Sequence, residues 1–172
     1  MAQTIILGCD PGFGGALAWY DPTARRIVAA LPMPLRPAKT LIPDSRPEID
    51  AEALYQQIYV SQPAVVVVER VNASPQQGVT SAFRFGEGFG IILGVLAGCG
   101  LKPRLAYPNV WKAGLGLSAD KKQSLKMACE LFPEWTPRFM TGARSADLAE
   151  AALLAYYGVR FLAAPIAETA KS

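Results

Sequence analysis

The chain of 172 residues carries seventeen Lys and Arg against fourteen Asp and Glu, a formal net charge of +3, and 51% of it is hydrophobic. That length and apolar content suit one compact soluble domain, and the charge is too mild to name a partner. Histidine is absent, which excludes His-based catalytic triads and His-containing zinc sites.

Three cysteines, Cys9, Cys99 and Cys129, have no paired spacing and follow no signal peptide. Reduced thiols and a cytoplasmic setting are therefore expected. Taken in order, Thr4 to Asp10 is an apolar run that ends on an aspartate and turns at once through Pro11-Gly12. Period-two alternation puts Ile6, Gly8 and Asp10 on one face of this strand and Ile5, Leu7 and Cys9 on the other. The carboxylate is delivered at the strand's carboxyl end, where open α/β sheets place their sites; taken alone, Asp-Pro-Gly is also ordinary turn chemistry. Gly14 to Tyr20 and Arg25 to Met33 read as two further strands, joined at Asp21-Pro22-Thr23 into an antiparallel meander. The four prolines and mixed charge of residues 34–49 predict an irregular surface loop. Asp50 is a plausible N-cap for a helix through Ile58.

Next comes Ala64 to Arg70, in which four consecutive valines end on Glu69. A β-branched run of this kind suits a strand buried on both faces. A helix between strands implies a parallel crossover, which returns this strand beside the first, with Asp10 and Glu69 about 4.8 Å apart laterally. Val79 to Gly100 predicts a long helix in which Gly86, Gly90, Gly94 and Gly98 form one stripe, for packing against a neighbouring helix or the sheet, or for a homodimer seam. The longest apolar stretch, Phe89 to Leu101, falls short of the ~20 residues that span a bilayer, so no membrane partner is expected. Lys102 to Ala106 reads as a fifth strand, Pro108 to Ala113 as a short helix and Asp120 to Phe132 as another. From Lys102 to Lys126 six basic residues face a single acid, Asp120. That reads as a phosphate-tracking surface or a solvated helix face.

Ser145 to Tyr157 predicts a buried helix whose only acids, Asp147 and Glu150, share one face. The helix dipole accounts for acids near an N-terminus but not for a pair facing a packed core. The tail from about residue 163 has little pattern and is expected to fray. Asp10, Glu69, Asp147 and Glu150 would repel one another when empty, and hard divalent cations relieve such repulsion. All-oxygen ligation favours Mg²⁺ or Mn²⁺ over zinc. Two such ions roughly 3.5–4 Å apart suit phosphodiester hydrolysis, and the basic block makes a nucleic-acid backbone the natural substrate.

Several fragments, in this order, also carry a family likeness: Leu7-Gly8-Cys9-Asp10-Pro11-Gly12 with the Gly-Ala-Leu-Ala strand, Val66-Val67-Val68-Glu69, Gln76-Gln77-Gly78 before the glycine-rich helix, Pro108-Asn109-Val110-Trp111-Lys112, Ala119-Asp120-Lys121-Lys122, and Ala146-Asp147-Leu148-Ala149-Glu150-Ala151. Over nearly its whole length the chain resembles the RuvC-type Holliday-junction resolvases of the RNase H-like superfamily, short phage and bacterial members above all. The resemblance implies an α/β fold with a mixed five-stranded sheet, three strands antiparallel and two parallel, flanked by helices. It implies catalytic metal ligation by Asp10, Glu69, Asp147 and Glu150, phosphate contacts by Lys112 and by Lys121 or Lys122, and a homodimer on branched DNA whose glycine-striped helix joins the subunits. Arg84, Gln77 and Lys102 complete the expected DNA-binding set. Each site would leave a 5′-phosphate and a 3′-hydroxyl.

Two positions depart from the family pattern. Glu150 stands where many relatives have aspartate, and Asn72 where bacterial members carry an aromatic; Phe83, Phe85 or Phe89 could replace that wedge, although phenylalanine at helical spacing is more often core. A relaxed nuclease cutting flaps and forks, a non-catalytic junction binder, and an RNase H-like or terminase-type nuclease are the rival readings. An actin-like or sugar-kinase ATP site would need a second copy of the first stretch, which the sequence lacks, so no nucleotide cofactor is expected.

Overall fold

The computed structural model describes residues 4–38, 46–70 and 78–162. Strands β1 (Ile6–Asp10), β2 (Ala16–Asp21) and β3 (Arg26–Pro32) form the expected antiparallel meander. Its second hairpin, between β2 and β3, is closed by the Asp21 carboxylate, which accepts from the backbone N–H groups of Thr23 and Ala24 at 2.8 and 3.0 Å. Within the stretch expected as an irregular loop, β4 (Leu35–Arg36) and β5 (Glu48–Ile49) pair antiparallel. Buried Ile49 and the bond from Asp50 N–H to the Pro34 carbonyl, 2.9 Å, tie its base to the core.

Helix α1 (Ala51–Ser61) begins as predicted at Asp50, whose carboxylate accepts from the N–H groups of Glu52 and Ala53. It leads to β6 (Val65–Glu69), which lies parallel to β1 with Ile6 opposite Val65 and Cys9 opposite Val68. Strand β7 (Arg104–Ala106) pairs parallel to β6 on the far side, giving the sheet order β3-β2-β1-β6-β7. The alternation read from β1 holds: Ile6 faces one core with Val67, while Ile5, Leu7 and Cys9 face the other with Val66 and Val68.

The second core is roofed by α1 and α2 (Val79–Gly98). By length and composition α2 could cross a membrane, yet one side of it, Gly88, Ile92 and Leu96, is buried. Its glycine stripe is not packed among the described residues. Apart from the helix's own backbone, no heavy atom of theirs lies within 4 Å of where a Cβ would stand on Gly86, Gly90, Gly94 or Gly98. The buried side is set by Ile92 and Leu96, with Gly88 in line with them, which leaves the other glycines on the opposite one. Of the three phenylalanines weighed as wedges, Phe83 is 74% exposed, and Phe89 packs on the second core.

Helices α3 (Pro108–Gly114) and α4 (Lys121–Leu131) stand where the sequence puts them, α4 capped by Asp120. Between α4 and the last helix the chain adds a single 3₁₀ turn, Pro133–Trp135, and α5 (Thr136–Met140). Neither was expected, because Pro133 reads as the end of the preceding helix, whereas proline in a first turn is compatible with helix. Helix α6 (Ser145–Tyr157) then lies across β1 and β2 in the first core.

Small residues bring α6 onto the sheet. Ala16 and Ala18 of β2 meet Ala149, Ala151, Ala152 and Ala155 of α6 in one cluster. Gly8 is the closest approach: a Cβ there would collide with the Ala151 carbonyl oxygen and the Ala155 amide nitrogen. The opposing atoms are backbone, so neither can turn aside. Gly8→Ala should therefore destabilise the protein by about 3 kcal/mol or more, at the upper end of overpacking costs, read as a lowered urea midpoint. Wild-type stability in that variant would mean that α6 does not rest on β1 at this point.

Candidate active site

Each acid reaches the site by a different local cause. Asp10 and Glu69 end adjacent parallel strands, one residue beyond the paired Cys9 and Val68, and both fall on the α6 side of the sheet by strand alternation. Asp147 and Glu150 are three residues apart on α6, so they share one face of it. The start of α6 is tied to the turn after β1, since Arg144 Nη1 donates to the Phe13 carbonyl at 2.6 Å. Gly12, at φ 120°, makes that turn possible.

The acids feel one another. Burial, then the charges of Glu69, Glu150 and Asp147, push the Asp10 carboxyl up to about 8, against a small opposing effect of Lys121. Glu69 is also raised, first by burial and then by Glu150, while a hydrogen bond from Trp111 and the charges of Lys112 and Lys121 pull the other way. That bond, Trp111 Nε1 to Glu69 Oε1, measures 2.8 Å. The next residue, Lys112, places Nζ 2.6 Å from Glu150 Oε1. Lys121 Nζ stands 3.5 Å from Asp147 Oδ1 and 4.0 Å from Glu150 Oε2. Burial lowers the Lys121 pKa, but Glu150, Asp147 and Asp10 outweigh it and the net shift is upward.

The expected DNA-binding residues separate. Lys121 and Arg84 border the same cavity as Asp10 and Asp147. Lys122 is exposed one residue further along α4. Lys112, expected at phosphate, is instead buried against Glu150, because the last turn of α3 points it inward beside Trp111. Lys102 precedes the amino end of β7, whereas the acids lie at the strands' carboxyl ends. Gln77, like Asn72, lies outside the described residues. Trp111 is the site residue that sequence reading missed; a buried indole N–H requires an acceptor, and the acid ending β6 supplies one.

Among the described residues, no three acid or thiol side chains close around one point tightly enough to hold an ion as they stand. The two ammonium groups of Lys112 and Lys121 supply the positive charge at Glu150 and Asp147 instead. The donor set nevertheless fits a hard divalent ion: four carboxylates, of which Asp10 is pushed up to about 8 by burial first and then by its acidic neighbours.

A scan against protein-family models finds no match, and a search of curated proteins finds none. Solved structures do match. Thermus thermophilus RuvC in complex with a Holliday junction substrate superposes with a TM-score of 0.62 at 17% identity, over 92% of this chain and 96% of that one. The fold is that of RuvC. A second T. thermophilus RuvC structure gives 0.57 at 16% identity over 92% and 96%. The yeast mitochondrial Holliday junction resolvase Ydc2 gives 0.51 at 14% identity over 93% and 81%. The RuvC arrangement, a mixed RNase H-like sheet of three antiparallel and two parallel strands between helical layers, is the one expected from the sequence.

The raised Asp10 pKa makes stability depend on pH. The ordinary carboxyl value is 3.8 and the folded value about 8, so between them the folded state binds more protons than the unfolded one and stability falls as pH rises. In chelator, Tm should therefore drop from pH 5 to pH 9, and Asp10→Asn should remove much of the drop, raising Tm at pH 9 by about 3 °C or more. A wild-type Tm independent of pH, or an Asn variant that follows the wild type, would contradict the burial and crowding described.

Proposed function

We propose that the chain is a metal-dependent endonuclease that resolves four-way DNA junctions. The observation that carries this reading is the crowding of Asp10 by Glu69, Glu150 and Asp147, on a fold shared with a RuvC solved on a Holliday junction substrate. A protein that only bound DNA would have no use for clustered negative charge beside phosphates.

Asp10, Glu69, Asp147 and Glu150 would hold Mg²⁺ or Mn²⁺, two ions in this reading, and the metal would supply positive charge for the phosphate and a water of lowered pKa. The remaining work belongs to the chain. Lys121, its side chain 62% exposed at the rim of the acids, meets the incoming phosphate, and Lys122 extends the positive surface. Lys112 and the Trp111 indole hold Glu150 and Glu69 in place. In the hydrolysis, water's oxygen bonds to phosphorus, the bond to the 3′ oxygen breaks, and that oxygen takes up a proton. The products are a 5′-phosphate and a 3′-hydroxyl.

Synthetic four-way junctions should be nicked in Mg²⁺ or Mn²⁺ and left intact in chelator. Asp10→Asn should lower the rate by at least about 10³-fold, since removing one charged group from the reacting centre costs several kcal/mol, with junction affinity held within a few-fold. Equal cutting of linear duplex, or an active Asn variant, would refute the assignment.

Paired nicks need two sites, and a second copy of the chain supplies the other through the open side of α2. Support comes from the uncontacted stripe at Gly86, Gly90, Gly94 and Gly98 beside exposed Phe83. The combined Gly90→Leu and Gly94→Leu variant should keep its fold, because both positions are exposed and a Cβ on either meets nothing within 4 Å among the described residues. On light scattering it should run at half the wild-type mass. A variant that remains dimeric would rule out this seam.

A further inference from the structure

The cavity that reaches the carboxylates is longer than a scissile phosphate requires. It encloses about 430 Å³ and runs from Asp10 and Asp147, past the Phe13 turn, to Arg46, Arg84 and the α2 residues Thr80 and Ser81. Lys121 stands with the acids of the lining, and the cavity's other cations are Arg46 and Arg84. The acids among its lining residues are Asp10 and Asp147; the far end has two guanidiniums and two hydroxyls. We propose that this far end is a subsite for the nucleotide next to the cleaved bond, with Arg46 and Arg84 taking that nucleotide's phosphate. The inference rests on the nuclease reading above and names the next contact along the same strand.

Three observations support it. First, Arg84 is held in position before any ligand arrives: Nη2 donates to the Pro47 carbonyl at 2.7 Å, and the guanidinium lies 4.4 Å from the centre of the Phe13 ring. Phe13 is itself fixed through its carbonyl by Arg144. A guanidinium has five N–H donors in a fork that matches phosphate, and the Pro47 bond uses one. Second, the residue before Pro47 is Arg46, so the β4–β5 unit that anchors one guanidinium delivers another to the same cavity. Among the described residues, no carboxylate forms an ion pair with either. Two like charges brought together this way are relieved by an anion. Third, the volume lies within the range of small-ligand sites, and the rings of Phe13 and Phe85 line its wall, so a sugar and an unstacked base find apolar surface beside the phosphate clamp.

The test uses the full chain and a fluorescent four-way junction, with affinity read by anisotropy in Ca²⁺ and cleavage read separately in Mg²⁺. Once the cut position is mapped, the flanking phosphate is replaced by a neutral methylphosphonate on the side where replacement affects wild-type affinity more. Arg46→Ala and Arg84→Ala should each weaken binding about 3- to 10-fold, as loss of one phosphate contact does. The neutral linkage should weaken the wild type by a similar factor and leave the combined variant unchanged. Arg84→Lys should recover part of the affinity, which loss of the Pro47 and Phe13 contacts through misfolding would not allow. Substitutions without effect, or a neutral linkage that weakens wild type and combined variant alike, would overturn the subsite while junction cleavage leaves the nuclease reading standing. A wild-type chain that neither binds nor cuts the junction would overturn both.

Discussion

The contact between the α6 backbone and β1 at Gly8 sets the geometry of everything else. With any side chain at that position, the helix could not come down onto the strand. The alanines on both surfaces continue the close approach, and the consequence is one of distance. Asp10 lies two residues beyond Gly8 on the same strand face, and Asp147 precedes Ala151, the residue Gly8 meets, by about one helical turn. A helix held off by valine or leucine would keep its two acids away from the strand-end pair. The same approach that makes the cluster available makes it costly when empty, and the upward shift at Asp10 reports both parts of that cost, burial first and then the neighbouring acids.

The molecule offsets part of it with its own cations, and it does so economically. Two consecutive residues of α3 reach two different acids: Trp111 donates to Glu69 and Lys112 pairs with Glu150. The first residue of α4, Lys121, serves Asp147 and Glu150 from the solvent side. Buried pairs of this sort are weak evidence for added stability, since desolvation consumes most of the attraction. Their clearer effect is to fix where carboxylates point. Glu150, with its extra methylene, is held by the buried ammonium at 2.6 Å, so its longer reach does not leave it free to wander.

Much of this was legible in the sequence because the relevant patterns are local. Alternation in Ile5-Ile6-Leu7-Gly8-Cys9-Asp10 assigns faces, a run of valines marks a buried strand, and spacing of three on an apolar helix pairs Asp147 with Glu150. What escaped depends on partners distant in the chain. Lys112 looked like one more member of a basic block, and only the fold shows that the last turn of α3 directs it inward against Glu150, 38 residues later. Trp111 lacked an evident acceptor until β6 stood beside it. Strands of two residues, such as β4 and β5, are too short for periodicity to register, yet they carry Arg46 to the cavity. In α5, proline signals hid a helix whose Phe139 is fully buried.

Helix α2 shows how propensity and fold can disagree without contradiction. Three interior glycines, Gly86, Gly90 and Gly94, cost on the order of 1 kcal/mol each relative to alanine in an exposed helix, and neither they nor Gly98 at the helix end are repaid by a contact among the described residues. Alanine would fit at all four positions and would stabilise the isolated chain. On Gly8 the absence of a side chain is required by the Ala151 carbonyl; on α2 nothing inside the protomer requires it. The proposed seam would account for bare backbone along that face, since it asks for an approach closer than a methyl group would permit. A copy of the same helix, bare along the same line, satisfies that condition from both sides at once.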